Sequence, residues 1–486
     1  MDTLNEISKR LGLPVDETYG GILIDDITCR SSECQSGSIF VAIKGEKADG
    51  HDFIPDAYRR GARVFITERR VSLPDDAVQL IVKDSRAALS HASAAVFGDP
   101  QKKLRIIGVT GTKGKSTVVH IIKKILDHSG HKTASISTVG MYLGDDFVPT
   151  ENSTPESCVI MKFLRRAVDE GAEYAVVEVS SQGVKQKRVS AIDFDVGVLT
   201  NISRDHIGKG EHKSFTEYKE YKKTFISGAK IKILNADDKY FSEFNDGESV
   251  TRYGIASPAD VSAENIKTVR RGEYFGSEFD FVAGEIKTKM TIAIPGKFAV
   301  YDALAALAAC TFLGVLPETC RDALSDFSMP GRFEKIDVGR DIDVVIDYAH
   351  NGDSMKNALL SARELARGKI ICVFGSVGGR TKMRRAALGK AAGKLADLCI
   401  VTSDNPNFEN PLDICKDIVI NIKGAEYKII PDRMSALKYA LEVAEDGDFI
   451  LISGKGHEKY QLVRGKKIPF DEREILSSLS KIKTKI

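Results

Sequence analysis

The chain has no apolar run long enough to cross a bilayer, and its opening "MDTLNEISKR" lacks the apolar core of a secretory leader. Both absences make the cytoplasm the expected compartment. Its eight cysteines form no C-x-x-C pair, and Cys310, Cys372 and Cys399 fall in apolar runs. They read as reduced core residues, neither zinc ligands nor a disulfide frame. An excess of one charge is missing too: 70 basic side chains face 68 acidic ones, for a formal net charge of +2. No nucleic acid and no membrane is therefore expected as a partner. Low-complexity segments and short-period repeats are absent. What remains is a soluble composition, 42% hydrophobic and 28% charged over 486 residues, long enough for about two to four domains.

The apolar segments set the organisation. Short runs from "GILIDDI" to "LIVKD" end at "GDPQKKL", a turn-rich basic stretch that reads as a linker and puts a boundary near residue 103. Next, "IIGVTGT", "YAVVEVSS", "DVGVLTNIS" and "IKILNADD" are apolar strands closing in polar residues, separated by helical patterns. That alternation predicts a parallel α/β sheet with ligands at the strand C-termini. After "MPGRFEKI" a further α/β series follows: "DVVIDYAH", "KIICVFGS", "LCIVTSDNP" and "DFILISGKGHE".

One turn carries the clearest chemistry. In "GVTGTKGKSTVVHII" a β-branched run leads into Gly111-Thr112-Lys113-Gly114-Lys115-Ser116-Thr117 and then into 3.6-type apolar spacing. Glycines let backbone N–H groups curl around an anion at a helix N-terminus, and a lysine after the last glycine reaches terminal phosphates. Val109 stands where the strict G-x-x-x-x-G-K-[ST] motif has glycine, so the match is to the shorter G-T-x-G-K-[ST] form. Glu178 in "VVEVSSQGVKQKRV" ends a buried strand, where a carboxylate is costly unless a cation or hydrogen bonds satisfy it; Mg²⁺ shared with Ser116 would do so. "TNISRDHIGKGEH" supplies Asp205 and His206 at another strand end, and "YKEYKKTF" holds a lysine cluster of the kind usually found on a solvated helical face.

Taken with "SGSIFVAIKGEKADGHDFI", "NSTPES", "MPGRFE", "DYAHNGDSM", "SDNPNFENP" and "GKGHEKYQ", these motifs resemble, in order and nearly end to end, the Mur ligase family. Those ATP-dependent enzymes add amino acids to the peptidoglycan precursor, and the nearest branch is the one that adds the third residue. The resemblance implies an α/β fold of three domains: a small N-terminal UDP-sugar-binding domain (1–103), a central P-loop ATPase domain with a parallel sheet (104–331) and a Rossmann-like amino-acid-binding domain (332–486). It also implies ATP and Mg²⁺ as cofactors. The expected partners are small molecules only, UDP-N-acetylmuramoyl-L-Ala-D-Glu, an amino acid and ATP, and the chain is expected to be a monomer.

Residue by residue, the resemblance makes Lys115 and the loop 111–117 the ATP phosphate site, joined by Arg332, Asp347 and His350. It assigns one Mg²⁺ to Ser116 and Glu178 and a second to His206, and makes Lys115, Glu178, His206 and Lys222 catalytic, with Lys222 metal-linked if carbamylated; the neighbouring Lys219 and Lys223 keep a solvated-face reading open. Ser31, Ser153, Thr154, Ser181, Gln186 and Arg188 are implied contacts of the UDP-muramoyl peptide. Arg380, Asp404, Asn405, Asn407, Gly454 and Glu458 are implied to hold the amino acid.

The chain departs from the family at Lys113 and Asp302, where asparagines are usual, at Ala299 likewise, at Gln182, where histidine is usual, and at "CRSS", where Asp-Ser-Arg is usual. Its loop reads D-N-P-N with Asn407 in place of the arginine of diaminopimelate-adding enzymes, so L-lysine is the expected amino acid, with meso-diaminopimelate or ornithine the alternative. No protein nucleophile is needed if ATP activates the carboxylate as an acyl phosphate, and no convincing Ser-His-Asp or Cys-His set is present. Two rivals stay open: a folylpolyglutamate synthetase, which lacks the N-terminal segment, and a non-catalytic binder of the nucleotide-sugar peptide.

Overall fold

Six apolar segments form a parallel sheet in the order Thr133–Ser137, Tyr174–Glu178, Arg105–Thr110, Val196–Leu199, Ile231–Asn235, Val250–Gly254. Their Val/Ile-rich runs suit strands covered on both faces, which parallel sheets require. The computed structural model describes residues 2–45, 48–205, 207–208, 211–379 and 381–483. Chain order reverses at Arg105–Thr110, which pairs with Tyr174–Glu178 on one side and Val196–Leu199 on the other. Such a reversal opens a crevice at the strand C-termini, and that is where the glycine-rich turn emerges.

The helices over this sheet follow from pattern and caps. Lys115–His128 turns Val118, Val119, Ile121, Ile122, Ile125 and Leu126 into the core. Phe215–Ser227 starts at Ser214, whose hydroxyl accepts from the Glu217 N–H, and buries Tyr218, Lys222, Phe225 and Ile226. It lies close to the sheet because Gly108 has no side chain: a Cβ there would come within 2.5 Å of the Phe225 ring. That close approach brings Lys222 to the turn.

N-terminal to this sheet, Asp26–Thr28, Ser38–Val41, Val64–Thr67 and Val78–Ile81 form a four-stranded parallel sheet. Helix Ser85–Val96, capped by Asp84, covers it, and the two sheets share one apolar core in which Ile39, Ile66 and Leu80 join Ala88, Leu89, Ile106 and Ile160. These elements belong to one compact unit, residues 1–263 with 281–288 and 301–323.

The second unit comprises 264–280, 289–300 and 324–486. Its sheet runs Glu334–Ile336, Asp343–Asp347, Phe449–Ser453, Ile370–Phe374, Leu398–Val401, Glu426–Ile429, parallel but for the first strand. Its core sets Val344, Ile346, Val373, Ile400 and Ile452 against Leu437 and Leu441. All four strands expected after "MPGRFEKI" are present. Three long strands that the α/β reading did not include, Val261–Arg271, Tyr274–Ala283 and Ile286–Ile292, continue the first sheet beyond Val250–Gly254, where Val261 pairs with Tyr253. Their links are the two-residue turns Gly272-Glu273 and Gly284-Glu285, with both glycines at positive φ as such hairpins need.

Candidate active site

The turn 111–114 is built on two glycines whose backbone and surroundings disfavour any side chain. Gly111 sits at φ 146°, and a Cβ would lie 1.9 Å from Thr200 Oγ1. Gly114 sits at φ 82°, and a Cβ would lie 2.1 Å from Asp302 Oδ1. Between them the turn is clamped by the end of the neighbouring strand. Thr112 N–H donates to Asn201 O (2.7 Å), Lys113 N–H donates to Asn201 Oδ1 (3.0 Å), and Thr200 Oγ1 donates to Lys113 O (2.6 Å). Lys113 Nζ reaches Asp205 Oδ2 at 2.8 Å, and Thr112 Oγ1 lies 2.8 Å from the Tyr218 hydroxyl.

Glu178, at the end of the strand on the other side, is buried at 2% exposure. Its cost is met by donors: Ser116 Oγ to Oε2 at 2.7 Å, Thr138 N–H to Oε2 at 2.9 Å and Thr138 Oγ1 to Oε1 at 3.0 Å. Lys115 Nζ stands 3.8 Å from Oε1 and donates to Thr112 O at 3.2 Å. A buried carboxylate, a hydroxyl and a helix N-terminus thus converge at one point, a hard-oxygen set of the kind Mg²⁺ takes.

Lys222 is not on a solvated face. It is 2% exposed and donates to Gly111 O at 2.8 Å, whereas Lys219 pairs with Glu243 at 2.6 Å and Lys223 is exposed. Burial holds its ammonium well below the usual lysine range, and the nearby Lys115 charge pushes the same way. His206 and Arg380 lie outside the described residues.

Among the residues expected at the UDP-muramoyl peptide, Thr154 Oγ1 donates to Glu178 O (2.7 Å) and accepts from Ser180 N–H (2.9 Å). Arg188 donates to Thr154 O (2.8 Å) and pairs with Glu156 (2.7 Å). Ser181 Oγ is 2.8 Å from His212 Nε2, and Ser153 Oγ is 2.8 Å from Thr138 Oγ1, which can accept the Ser153 proton while donating its own to Glu178. Ser31 and Gln186 are part-exposed. Thr154 and Arg188 are therefore bonded so as to hold segment 151–157, and Ser181 is bonded to His212.

In the second unit three strand-end segments meet. A Cβ at Gly331 would strike His457 N at 2.2 Å, the Tyr348 and His457 rings are 5.0 Å apart, and the Arg332 guanidinium lies 4.9 Å from the Tyr348 ring centre. Asp347 accepts from Phe333 N–H (2.9 Å) and Ala349 N–H (2.8 Å), and burial raises its carboxyl pKa against the pull of Arg332. His350 Nδ1 is 2.9 Å from Tyr348 O.

Nearby in this unit, Asn405 joins Glu458 Oε2 through Nδ2 (2.8 Å), while its Oδ1 accepts from Lys455 Nζ (3.1 Å) and Leu462 N–H (2.9 Å). Lys455 also reaches Glu458 at 3.1 Å and Asp404 at 3.9 Å. Asp404 is buried, which raises its pKa, and a Cβ at Gly454 would lie 2.7 Å from its Oδ2. Asn407 has φ 53°; its Oδ1 accepts from Gly465 N–H at 2.8 Å and its carbonyl accepts from Arg464 N–H at 2.7 Å. Its side chain braces the hairpin Tyr460–Pro469. Sequence reasoning missed Thr138, Thr200, Asn201 and Lys455. Thr138 lies in no quoted motif; Thr200 and Asn201 open "TNISRDH" and Lys455 lies in "GKGHEKYQ", but the motifs were read for Asp205, His206, Gly454 and Glu458 instead.

A glycine-rich strand-to-helix turn at a sheet's switch point, backed by a buried carboxylate, defines a nucleotide-dependent phosphoryl-transfer enzyme. Comparison with known proteins narrows this. Residues 23–107 match the Mur ligase family catalytic domain, 109–310 the Mur ligase middle domain and 331–456 the Mur ligase glutamate ligase domain. The chain belongs to the Mur ligase family, and so to the ATP-dependent ligases that form amide bonds. It is 39% identical over 462 residues, 94% of each chain, to the UDP-N-acetylmuramoyl-L-alanyl-D-glutamate–2,6-diaminopimelate ligase of Caldanaerobacter subterraneus subsp. tengcongensis. It is 38% identical over 474 residues to the ligase of the same name from Bacillus licheniformis, covering 94% of this chain and 95% of that one. A solved structure of a ligase of that name superposes with a TM-score of 0.70 at 25% identity over 99% of both chains. The Thermotoga maritima MurF ligase in complex with ADP gives 0.70 at 20%, over 95% and 99%, a likeness of fold. No helix among the described residues is long and apolar enough to cross a membrane.

Proposed function

We propose that this ligase joins 2,6-diaminopimelate to the D-glutamate of UDP-N-acetylmuramoyl-L-Ala-D-Glu, activating the carboxylate with ATP as an acyl phosphate. The observation that carries the reading is the convergence of Lys115, Ser116 and Thr138 on Glu178 at the turn. In this reading Lys115 and the 111–117 amides hold the ATP phosphates, and Ser116 and Glu178 hold Mg²⁺. Bound there, Mg²⁺ would neutralise charge on the transferring phosphoryl group. Lys222, its pKa lowered by burial, is the proposed carbamate site, and His206 a further metal ligand. Arg332, Asp347 and His350 contact ATP in turn. Ser31, Ser153 and Gln186 face the nucleotide-sugar peptide, with Thr154, Ser181 and Arg188 positioning them. Asp404, Asn405, Gly454, Glu458 and Arg380 hold the amino acid. The domain division at 103 and 331 belongs to the same proposal.

The amino acid is the point at which sequence reasoning pointed elsewhere. Asn407 suggested L-lysine; the relatives are named for 2,6-diaminopimelate. Lysine is the second reading, supported by the lack of a cationic side chain at 407. ADP release with UDP-N-acetylmuramoyl-L-Ala-D-Glu and each amino acid tests both. A higher kcat/KM for L-lysine than for meso-diaminopimelate would overturn the first choice, and no release with either would overturn the substrate class.

A further inference from the structure

Arg433 opens helix Arg433–Val443 and Glu472 opens helix Glu472–Lys483; their side chains are 0% and 1% exposed. The buried guanidinium makes three bonds. Nε donates to Glu472 Oε1 at 2.7 Å, Nη1 to Ser403 O at 3.2 Å and Nη2 to Ser453 O at 2.9 Å. The strands that lead to those two carbonyls, Leu398–Val401 and Phe449–Ser453, are not neighbours, because Ile370–Phe374 runs between them. Gly375, just past the middle strand, lets the chain close over it: a Cβ there would lie 2.3 Å from Thr402 O. Ser403 and Ser453 directly precede Asp404 and Gly454, residues that the proposed function gives to the amino acid. We propose that Arg433 is a positioning residue for the amino acid, its fork pinning the 403–405 and 453–458 loops to each other from the core side, with Glu472 as its counter-charge.

The residue type fits the task. A guanidinium is planar, always charged and presents its donors at fixed angles, so two carbonyls bonded to Nη1 and Nη2 of one group are held at a set separation. An ammonium has no such fork. An apolar pair of similar volume would fill the same space with little or no loss of stability, since taking both charges out of water offsets their attraction; it would not hold two carbonyls. On the ligand side the same loops are tied by groups of the site itself: Lys455 Nζ donates to Asn405 Oδ1 and Glu458 Oε2, both at 3.1 Å, and Gln461 Nε2 donates to Asp404 O at 3.0 Å. An incoming amino acid engages Asn405 and Glu458 in the proposed function and so competes with those ties. Arg433, wholly buried, meets no ligand, and its hold is independent of occupancy. Its charge also draws down the Asp404 pKa that burial raises.

The effect on substrate rests on the proposed function; the pin itself does not. The test uses the full chain and reads amide hydrogen exchange by mass, together with KM for meso-diaminopimelate, L-lysine, ATP and the UDP-muramoyl dipeptide. Arg433→Lys keeps the charge and loses the fork. Peptides covering 402–408 and 453–459 should then exchange about tenfold faster or more, and KM for the amino acid should rise roughly tenfold, with the other two KM values within about twofold of wild type. Glu472→Gln keeps an acceptor for Nε and leaves both carbonyls bonded, so its melting temperature should fall while KM for the amino acid stays within about threefold. If Arg433→Lys does not fold, the double variant Arg433→Gln with Glu472→Gln removes both charges at once and carries the same expectation. Unchanged exchange in the two segments would overturn the pin. Faster exchange with every KM unchanged, or KM values that rise together in step with lost melting temperature in both variants, would overturn the positioning role. Faster exchange in the variants of a wild type that releases no ADP with either amino acid would overturn the functional reading alone.

Discussion

Replacing Lys115 by alanine separates what the side chain does for the fold from what it does for the reaction. In the folded chain its ammonium stands 3.8 Å from Glu178 Oε1 and is 14% exposed. At that separation and an effective dielectric near 20, the gross attraction is about 4 kcal/mol, most of it offset by the desolvation of both groups. Glu178 keeps its three donors from Ser116 and Thr138 after the substitution, so its carboxylate is not orphaned. A stability loss of about 1–3 kcal/mol follows. The reaction loses more. One charge-assisted donor aimed at developing charge in a closed site is worth about 3–4 kcal/mol, which converts to a drop in kcat/KM on the order of 10²–10³. ADP release at saturating UDP-muramoyl dipeptide measures the second quantity, and a circular-dichroism melt measures the first. Lys115→Ala that folds and keeps kcat/KM within tenfold of wild type would refute the phosphate-loop argument. A chain that fails to fold would refute the claim that Glu178 is satisfied without the lysine.

Further outcomes follow from the same geometry. Gly114→Ala faces both a positive φ, about 1–2 kcal/mol for a residue with a Cβ, and the Asp302 carboxylate; in a double-mutant cycle with Asp302→Ala the backbone part should persist and only the steric part should be recovered, as melts will show. Thr138→Val removes one hydroxyl from Glu178 and should cost about 1–2 kcal/mol by denaturant titration, since Ser116 and the Thr138 N–H remain. Asp404 has its pKa raised by burial, so the folded chain holds that proton where the unfolded chain has lost it. The contribution is present below the unfolded carboxyl range and is lost as pH rises through the folded value. Asp404→Asn should therefore gain stability relative to wild type as pH is raised from 4 to 7; a difference independent of pH in paired melts would contradict this.

How much of this was legible in the sequence depended on the range of the interactions. The turn 111–117, the strand that ends in Glu178 and the four strands after residue 331 are local patterns, period and punctuation together, and the structure has them where expected. The hairpin strands from Val261 to Ile292 were missed although two Gly-Glu turns announced them, because the α/β rhythm on either side set the expectation. Lys222 was ambiguous for a different reason. Its burial follows from the close approach of helix and sheet at Gly108, a contact between residues more than a hundred positions apart. The roles of Thr138, Thr200 and Asn201 were not legible, although the last two open the quoted "TNISRDH", because their part in the site is to bond the backbone or a carboxylate across strands, for which any loop threonine or asparagine is an equal candidate.

The choice of amino acid turns on Asn407, and the structure changes what that residue can mean. The lysine reading treats its side chain as a blank in a specificity pocket, present where a cation would otherwise hold a distal carboxylate. Yet its Oδ1 accepts from Gly465 N–H at 2.8 Å, its φ of 53° is one that asparagine tolerates better than most residues, and its carbonyl takes the Arg464 N–H. A residue chosen for that brace says little about the ligand. The cluster behind it, Asp404, Asn405, Lys455 and Glu458, offers several oxygen acceptors around one ammonium, which suits the ammonium common to lysine and diaminopimelate and does not separate them. Asn407→Gly keeps the backbone conformation and removes only the brace. If bracing is the whole role, the hairpin loosens and kcat/KM falls for both amino acids alike, by about 5–10-fold for one hydrogen bond of roughly 1 kcal/mol, with their ratio unchanged. If the amide itself discriminates, the ratio of meso-diaminopimelate to L-lysine moves instead. A shift of that ratio beyond about tenfold in paired kcat/KM measurements, with either sign, would return Asn407 to the role of a selector and restore the weight of the lysine reading.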